Sequence, residues 1–79
     1  IPNESAVGGY VYYDGDGYNV QVASYKSQTS AERHVMKLRE AGLNAFIVKD
    51  YLERIGGDWY RVRVGYFDTK EAAREFQGN

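Results

Sequence analysis

The alternation of apolar and polar residues along the chain predicts four β-strands. The segment from Gly9 to Tyr13 is aromatic and β-branched, and the segment from Tyr18 to Tyr25 alternates with a period of two. Between them, Asp14-Gly15-Asp16-Gly17 supplies the positive φ angles of a tight turn, which predicts a β-hairpin. The third strand is predicted at Ala45 to Tyr51 and the fourth at Trp59 to Phe67, with the chain broken between them by a Gly-Gly-Asp turn.

Two further segments have the apolar spacing of amphipathic helices. In the first, roughly Ser30 to Ala41, small and branched apolar residues recur every three or four positions until Gly42 ends the run. Thr29-Ser30-Ala31-Glu32 has the form of a capping box for this helix, and Asp68-Thr69-Lys70-Glu71 has that form for the second, which can end at Gly78. The predicted order is therefore strand, strand, helix, strand, strand, helix.

The 79 residues are enough for a single domain. Residues 1–8 show no period and contain Pro2 and Gly8, so we predict a flexible tail or linker there and a folded domain over residues 9–79. No run of 18 apolar residues occurs, and the start of the chain lacks the charged leader and apolar stretch of a signal peptide.

A weak internal repeat indicates how the elements assemble. Tyr18-Asn19-Val20-Gln21-Val22-Ala23 aligns with Tyr60-Arg61-Val62-Arg63-Val64-Gly65, and a capped helix follows each segment. Two strand–helix halves of this kind predict an α+β fold of the ferredoxin-like (RNP-like) split βαβ type, a four-stranded antiparallel sheet with two helices on one face. We expect the two matching strands to be parallel neighbours at the centre of the sheet, with their valines facing the helices.

Strand alternation then predicts a polar set on the face that no helix covers. On the first matching strand, Asn19 and Gln21 should point away from Val20 and Val22. On the second, three side chains should point away from the core, namely Trp59, Arg61 and Arg63. The alternative is that these side chains have purely structural roles. In that case the Trp59 ring caps the core, and the arginines pair with Glu53 or Asp58 on a solvated surface.

Composition limits the kinds of function that this domain can have. Ten basic residues against eleven acidic ones give a formal charge of -1, whereas nucleic-acid modules carry a basic face. The chain has no cysteine and a single histidine, His34, which is predicted to be a surface residue. We therefore expect no metal, no cofactor and no catalytic residue. Eight tyrosines, one tryptophan and three phenylalanines exceed what one small core holds, so some rings should be exposed.

Three stretches, in order, resemble the SPOR (sporulation-related) domain family. They are Tyr18-Asn19-Val20-Gln21-Val22-Ala23-Ser24-Tyr25, the helix end Leu38-Arg39-Glu40-Ala41-Gly42, and Trp59-Tyr60-Arg61-Val62-Arg63-Val64-Gly65-Tyr66-Phe67. The resemblance covers roughly Tyr18 to Phe76. It implies a peptidoglycan-binding fold whose exposed sheet face holds glycan strands stripped of their stem peptides. The matching groove positions are Gln21, Ser24, Trp59 and Arg61, to which alternation adds Asn19 and Arg63 as neighbours.

The sequence departs from the family pattern at its end. Family members usually close with a strand after the second helix, and this chain stops at Asn79. We expect the extra strand Gly9 to Tyr13 to take that place, antiparallel to Tyr18 to Tyr25, because a tight turn joins the two. Any groove contribution of the family's last strand would then come from Tyr10, Val11, Tyr12 or Tyr13, among which Tyr12 is taken as the candidate.

The resemblance implies a non-catalytic module of the bacterial cell envelope, and we expect this module to be a monomer. It would bind denuded peptidoglycan, with no nucleic-acid partner and no direct membrane contact, and would target its parent protein to the cell wall or division septum. Arg61, together with Arg63, could read the lactyl carboxylate that an amidase exposes on muramic acid. The alternatives are an RNA-binding module with the same strand order and a protein–protein interaction domain that uses the tyrosine-rich hairpin.

Overall fold

The computed structural model describes residues 5–6 and 10–78 and shows one sheet with two helices on one face. The strands are β1 (Ser5–Ala6), β2 (Val11–Tyr13), β3 (Tyr18–Tyr25), β4 (Ala45–Leu52) and β5 (Gly57–Phe67). The helices are α1 (Gln28–Glu40) and α2 (Lys70–Gly78), and a short 3-10 turn at Glu53–Ile55 joins β4 to β5. Neither helix has the length and apolar character needed to cross a membrane.

Within the described residues, the strand order is β1-β2-β3-β5-β4 and every neighbouring pair is antiparallel. The predicted α+β fold is confirmed, as is the placement of β2 on the free side of β3, where Val11 lies opposite Val20. The expectation of a parallel central pair is wrong, because β3 and β5 run antiparallel. The reason is that α1 carries the chain back so that β4 runs parallel to β3, with a gap one strand wide between them. β5 then returns through the short turn and fills the gap in the opposite direction.

The two-residue strand β1 was not predicted. Ser5 lies opposite Tyr13 and Ala6 opposite Tyr12, so part of the predicted linker pairs with the hairpin. Residues 1–4 and 7–9 lie outside the described residues, and for them the linker over residues 1–8 and the start of the domain at Gly9 stay predictions.

Both helices begin one or more residues away from the predicted capping boxes. The Ser27 hydroxyl accepts a hydrogen bond from the Ser30 amide at 3.2 Å, so Ser27 and not Thr29 caps α1. The Thr69 hydroxyl accepts from the Ala72 amide at 3.1 Å and starts α2. Neither Ser27 nor Thr69 is followed three residues later by the Glu or Gln of a capping box. Each is instead the second residue after the end of the preceding strand.

The end of α1 follows the sequence prediction. Gly42 has a φ angle of 89°, in the left-handed region, and its amide donates to the Arg39 carbonyl at 2.9 Å. The Leu43 amide donates to the Leu38 carbonyl at 3.0 Å, which completes a Schellman motif. Only a glycine adopts this conformation without a Cβ penalty.

The core lies between the sheet and the two helices and forms two clusters. Under α1, the buried residues are Ala31, Val35, Ala45, Val62 and Val64. Under α2, Ala73 packs on the hairpin valines Val11 and Val20. The second cluster explains why β2 stays in the sheet: its inward side chain is fully buried against α2.

An irregularity in the β3–β5 pairing, at Val22, changes which side chains of β3 face the core. Gln21 lies opposite Arg63 and Ala23 opposite Val62, so Val22 is an extra residue without a partner. As a result Ala23 packs against the core, whereas Val22 is 38% exposed. The expectation that Val22 faces the helices is therefore wrong, because strict alternation does not continue through a bulge.

Candidate functional site

The sheet face opposite the helices carries most of the predicted site. We call it the open face and define it by the side chains that alternate with the core positions of the four longer strands: Tyr12, Asn19, Gln21, Ser24, Phe46, Val48, Asp50, Trp59, Arg61 and Arg63. In the sheet, Gln21, Arg63 and Phe46 form one row and Ser24, Arg61 and Val48 the next. The predicted residues are thus brought together on neighbouring strands.

Arg61 lies at the centre of the open face in an ion pair that the sequence pattern did not predict. Its Nε donates to an Asp50 carboxylate oxygen at 2.7 Å, and each side chain is about one-fifth exposed, at 20%. The acidic partners considered from the sequence were Glu53 and Asp58, but Asp58 lies near Lys49 instead, at 3.8 Å. Alternation along β4 was the available signal, since Asp50 falls on the face opposite Ala45 and Ile47.

Arg63 is fully buried, which corrects its prediction as an exposed groove residue. Its guanidinium carbon lies 4.1 Å from the centre of the Tyr12 ring, and one Nη donates to the Gln21 side-chain oxygen at 3.3 Å. The cause is β2, which adds Tyr12 beside β3 and lays its ring over the arginine. Arg63 therefore lies buried beneath the Tyr12 ring and holds Tyr12 and Gln21 in position on the open face.

The contact with Arg63 determines the orientation of the Gln21 side-chain amide. Arginine only donates hydrogen bonds, so the amide oxygen of Gln21 must face the guanidinium. In the described part of the chain, no residue accepts a hydrogen bond from the side-chain amide nitrogen of Gln21. The half-buried Gln21 side chain thus offers N–H donors to a ligand on the open face.

Asn19 is also fully buried, so its predicted exposure on the groove is wrong. Its side-chain nitrogen lies 3.4 Å from an Asp14 carboxylate oxygen, the same oxygen that accepts from the Tyr66 hydroxyl at 2.8 Å. Opposite Asn19 stands Gly65, and a Cβ added there would lie 2.9 Å from the Asn19 Cβ. Asn19 belongs to a structural contact between the hairpin turn and the end of β5.

The N-terminal aromatic residues divide between the two faces. Val11 is buried against α2, whereas the half-buried Tyr12 lies over Arg63 on the open face. Tyr13 is 45% exposed and its ring centre lies 5.0 Å from that of Tyr18. Tyr10 is 61% exposed and borders a shallow hollow of about 250 Å³ lined also by Gln21, Val22, Ala23 and Ser24. The open face therefore extends past β3 toward the hairpin.

Trp59 and Ser24 complete the predicted set. Trp59 is half-buried and lies opposite Asp50, at the end of the open face away from Tyr12. Ser24 is exposed and lies opposite Arg61. Neither is covered by a helix, so the indole, the hydroxyl and the arginine are all accessible from the same side.

The described residues contain no group of three or more side chains suited to hold a metal ion. His34 lies on the helical side of the sheet and is half-buried, with its Nδ1 2.9 Å from the Tyr25 hydroxyl. It is therefore packed against the end of β3, away from the open face.

Comparison with known proteins identifies the class of domain. Residues 14–78, which make up most of the chain, match the SPOR domain family. The chain therefore belongs to this family. SPOR domains are peptidoglycan-binding rather than catalytic modules and occur in proteins of the bacterial envelope and of cell division. The match begins after β2, so the strand that fills the sheet edge lies outside it.

The chain is also similar to an uncharacterized protein of Haemophilus influenzae. The two are 36% identical over 64 residues, which is 81% of this chain and 28% of the relative. The chain thus spans little more than a quarter of that relative's length. No solved structure matches the chain.

Proposed function

We propose that the open face binds peptidoglycan glycan strands that lack stem peptides and so targets the parent protein to the cell wall or septum. The observation that carries this proposal is that Gln21, Trp59 and Arg61, which match the family motif, share one sheet face that neither helix covers. The family supplies the ligand class, and the open face supplies a surface with the matching chemistry.

A glycan presents C–H patches on its ring faces and hydroxyl and acetamido oxygens at its ring edges. The half-buried Trp59 indole is a planar apolar platform for a ring face. Gln21 and Arg61 direct N–H donors outward, and the Ser24 hydroxyl both donates and accepts. Tyr12, fixed over Arg63, forms the opposite border of the surface.

The preference for stripped strands follows the family resemblance and the shape of the surface. Gln21, Ser24 and Arg61 lie directly on the sheet, so a sugar must approach the strands closely to contact them. A peptide on each muramic acid would hold the strand away from these short-range donors. We accordingly propose that the parent protein lies in the bacterial envelope and that this domain acts as a monomer that contacts neither nucleic acid nor membrane.

The test is co-sedimentation of the domain with purified sacculi before and after digestion by an amidase that removes stem peptides. We expect retention to rise after digestion and to fall about tenfold in Trp59→Ala and Arg61→Gln, the loss of one stacked ring or one charge-assisted hydrogen bond. Tyr51→Ala and Arg33→Gln are matched controls, since both side chains are exposed away from the open face, and should bind like the wild type.

Equal retention on untreated and digested sacculi would contradict the preference for stripped strands. Binding that both controls weaken as much as the open-face variants would contradict the assignment of the site. A parallel gel-shift with single-stranded RNA tests the other function considered, and a shift without sedimentation would favour it.

A further inference from the structure

The open face has balanced charge, whereas the sequence predicted two exposed arginines there. Arg61 is paired with Asp50 at 2.7 Å, and Arg63 lies beneath the Tyr12 ring. A second carboxylate, Asp14, is held at the end of the face by Tyr66. A ligand that approaches Arg61 therefore meets a carboxylate beside the guanidinium.

We propose that Asp50 determines the ligand specificity of the open face by making Arg61 a receptor for uncharged acetamido and hydroxyl oxygens instead of carboxylates. This inference rests on the proposed function and specifies that the domain recognises the acetamido and hydroxyl groups of the glycan. It replaces the expectation that Arg61 recognises the lactyl carboxylate of muramic acid.

The geometry of the pair is the first argument. Asp50 lies opposite Trp59 on the neighbouring strand and reaches diagonally to Nε of Arg61. No residue other than Asp50, in the part of the chain that the structure describes, forms a hydrogen bond with this guanidinium. The two Nη atoms of Arg61 thus remain available to a ligand. The Asp50 carboxylate holds the guanidinium in its orientation, which makes Asp50 a positioning residue.

Electrostatics is the second argument. A ligand carboxylate bound to the Nη groups would sit close to the Asp50 carboxylate, so repulsion between the two anions offsets most of the attraction to Arg61. A carbonyl or hydroxyl oxygen accepts the same hydrogen bonds without a net charge. The half-buried position of the pair, at 20% exposure, keeps this difference from being fully screened by solvent.

The test compares two tetrasaccharides of alternating N-acetylglucosamine and N-acetylmuramic acid without peptides, one native and one with its lactyl carboxylates reduced to alcohols. We expect the wild-type domain to bind the two within about threefold of each other, with little dependence on salt, because the paired arginine gains little from a further anion. In Asp50→Asn, whose amide oxygen still accepts from Nε, the native sugar should bind about five- to tenfold tighter than the reduced one at low salt. High salt should remove this difference.

The matched control is Asp58→Asn, which makes the same change of charge at a carboxylate near Lys49, on the helical side. It should show no preference between the sugars. A wild-type affinity that falls more than about threefold when the carboxylates are reduced would overturn the inference while leaving the proposed function intact. This arm needs no variant, so it decides the matter even if Asp50→Asn fails to fold. Absence of binding to both sugars by the wild type would overturn the proposed function and the inference with it.

Discussion

The contact between Tyr12 and Arg63 should contribute measurably to the stability of the fold. The guanidinium is fully buried and its carbon lies 4.1 Å from the ring centre. Desolvated cation–π contacts are worth about 2 kcal/mol, while a domain of this size has roughly 4 to 12 kcal/mol in all. We therefore expect Tyr12→Leu to lower the free energy of unfolding by about 2 to 3 kcal/mol, which includes some lost ring burial.

A double-mutant cycle isolates the pair, because Arg63→Met also removes the hydrogen bond to Gln21 and relieves the desolvation of a buried charge. In the Arg63→Met background, Tyr12→Leu should cost only about 0.5 to 1 kcal/mol, so that the coupling energy is about 2 kcal/mol. The measurement is urea unfolding followed by circular dichroism. Tyr13→Leu, at a neighbouring exposed ring, is the control and should show no coupling. A coupling below about 0.5 kcal/mol for Tyr12 would refute the reasoning.

Five other substitutions test the local structure by their effect on the free energy of unfolding. Val20→Ala should cost about 2 kcal/mol and Val22→Ala under about 0.5 kcal/mol, since only the first side chain is buried; equal costs would argue against the bulge. Gly65→Ala should cost about 1 to 3 kcal/mol because its methyl group meets the asparagine opposite, and a neutral effect would contradict that close approach. Ser27→Ala should cost about 1 kcal/mol and Thr29→Ala much less; the reverse result would restore the predicted capping box.

The local parts of the fold follow from sequence patterns that act over a few residues. The Asp-Gly-Asp-Gly turn between β2 and β3 and the glycine that ends α1 were both predicted, because each depends on the backbone freedom of one or two residues. The position of β2 in the sheet was also predictable. A tight turn leaves an antiparallel strand only one free side on which to pair.

The errors arise where a residue's surroundings come from a distant part of the chain. Arg63 and Asn19 have the alternation of exposed residues, yet Tyr12 covers the first and the contact between the turn and β5 encloses the second. Asp50 was overlooked because its partner, Arg61, lies on another strand and only the register of β4 against β5 brings the two together. These differences change the site from two exposed arginines to one arginine with a carboxylate beside it.

The sequence by itself determined the two helices, the four longer strands, the hairpin, the family and the outward direction of Gln21, Trp59 and Arg61, because these depend on residue type and on spacing within one element. Only the tertiary structure decided that the central strands are antiparallel, that a bulge at Val22 reverses the alternation, and which charged groups meet on the open face. The physical reason is that burial and charge pairing depend on the register between strands. That register is set by the packing of the whole sheet on its helices and not by any one segment.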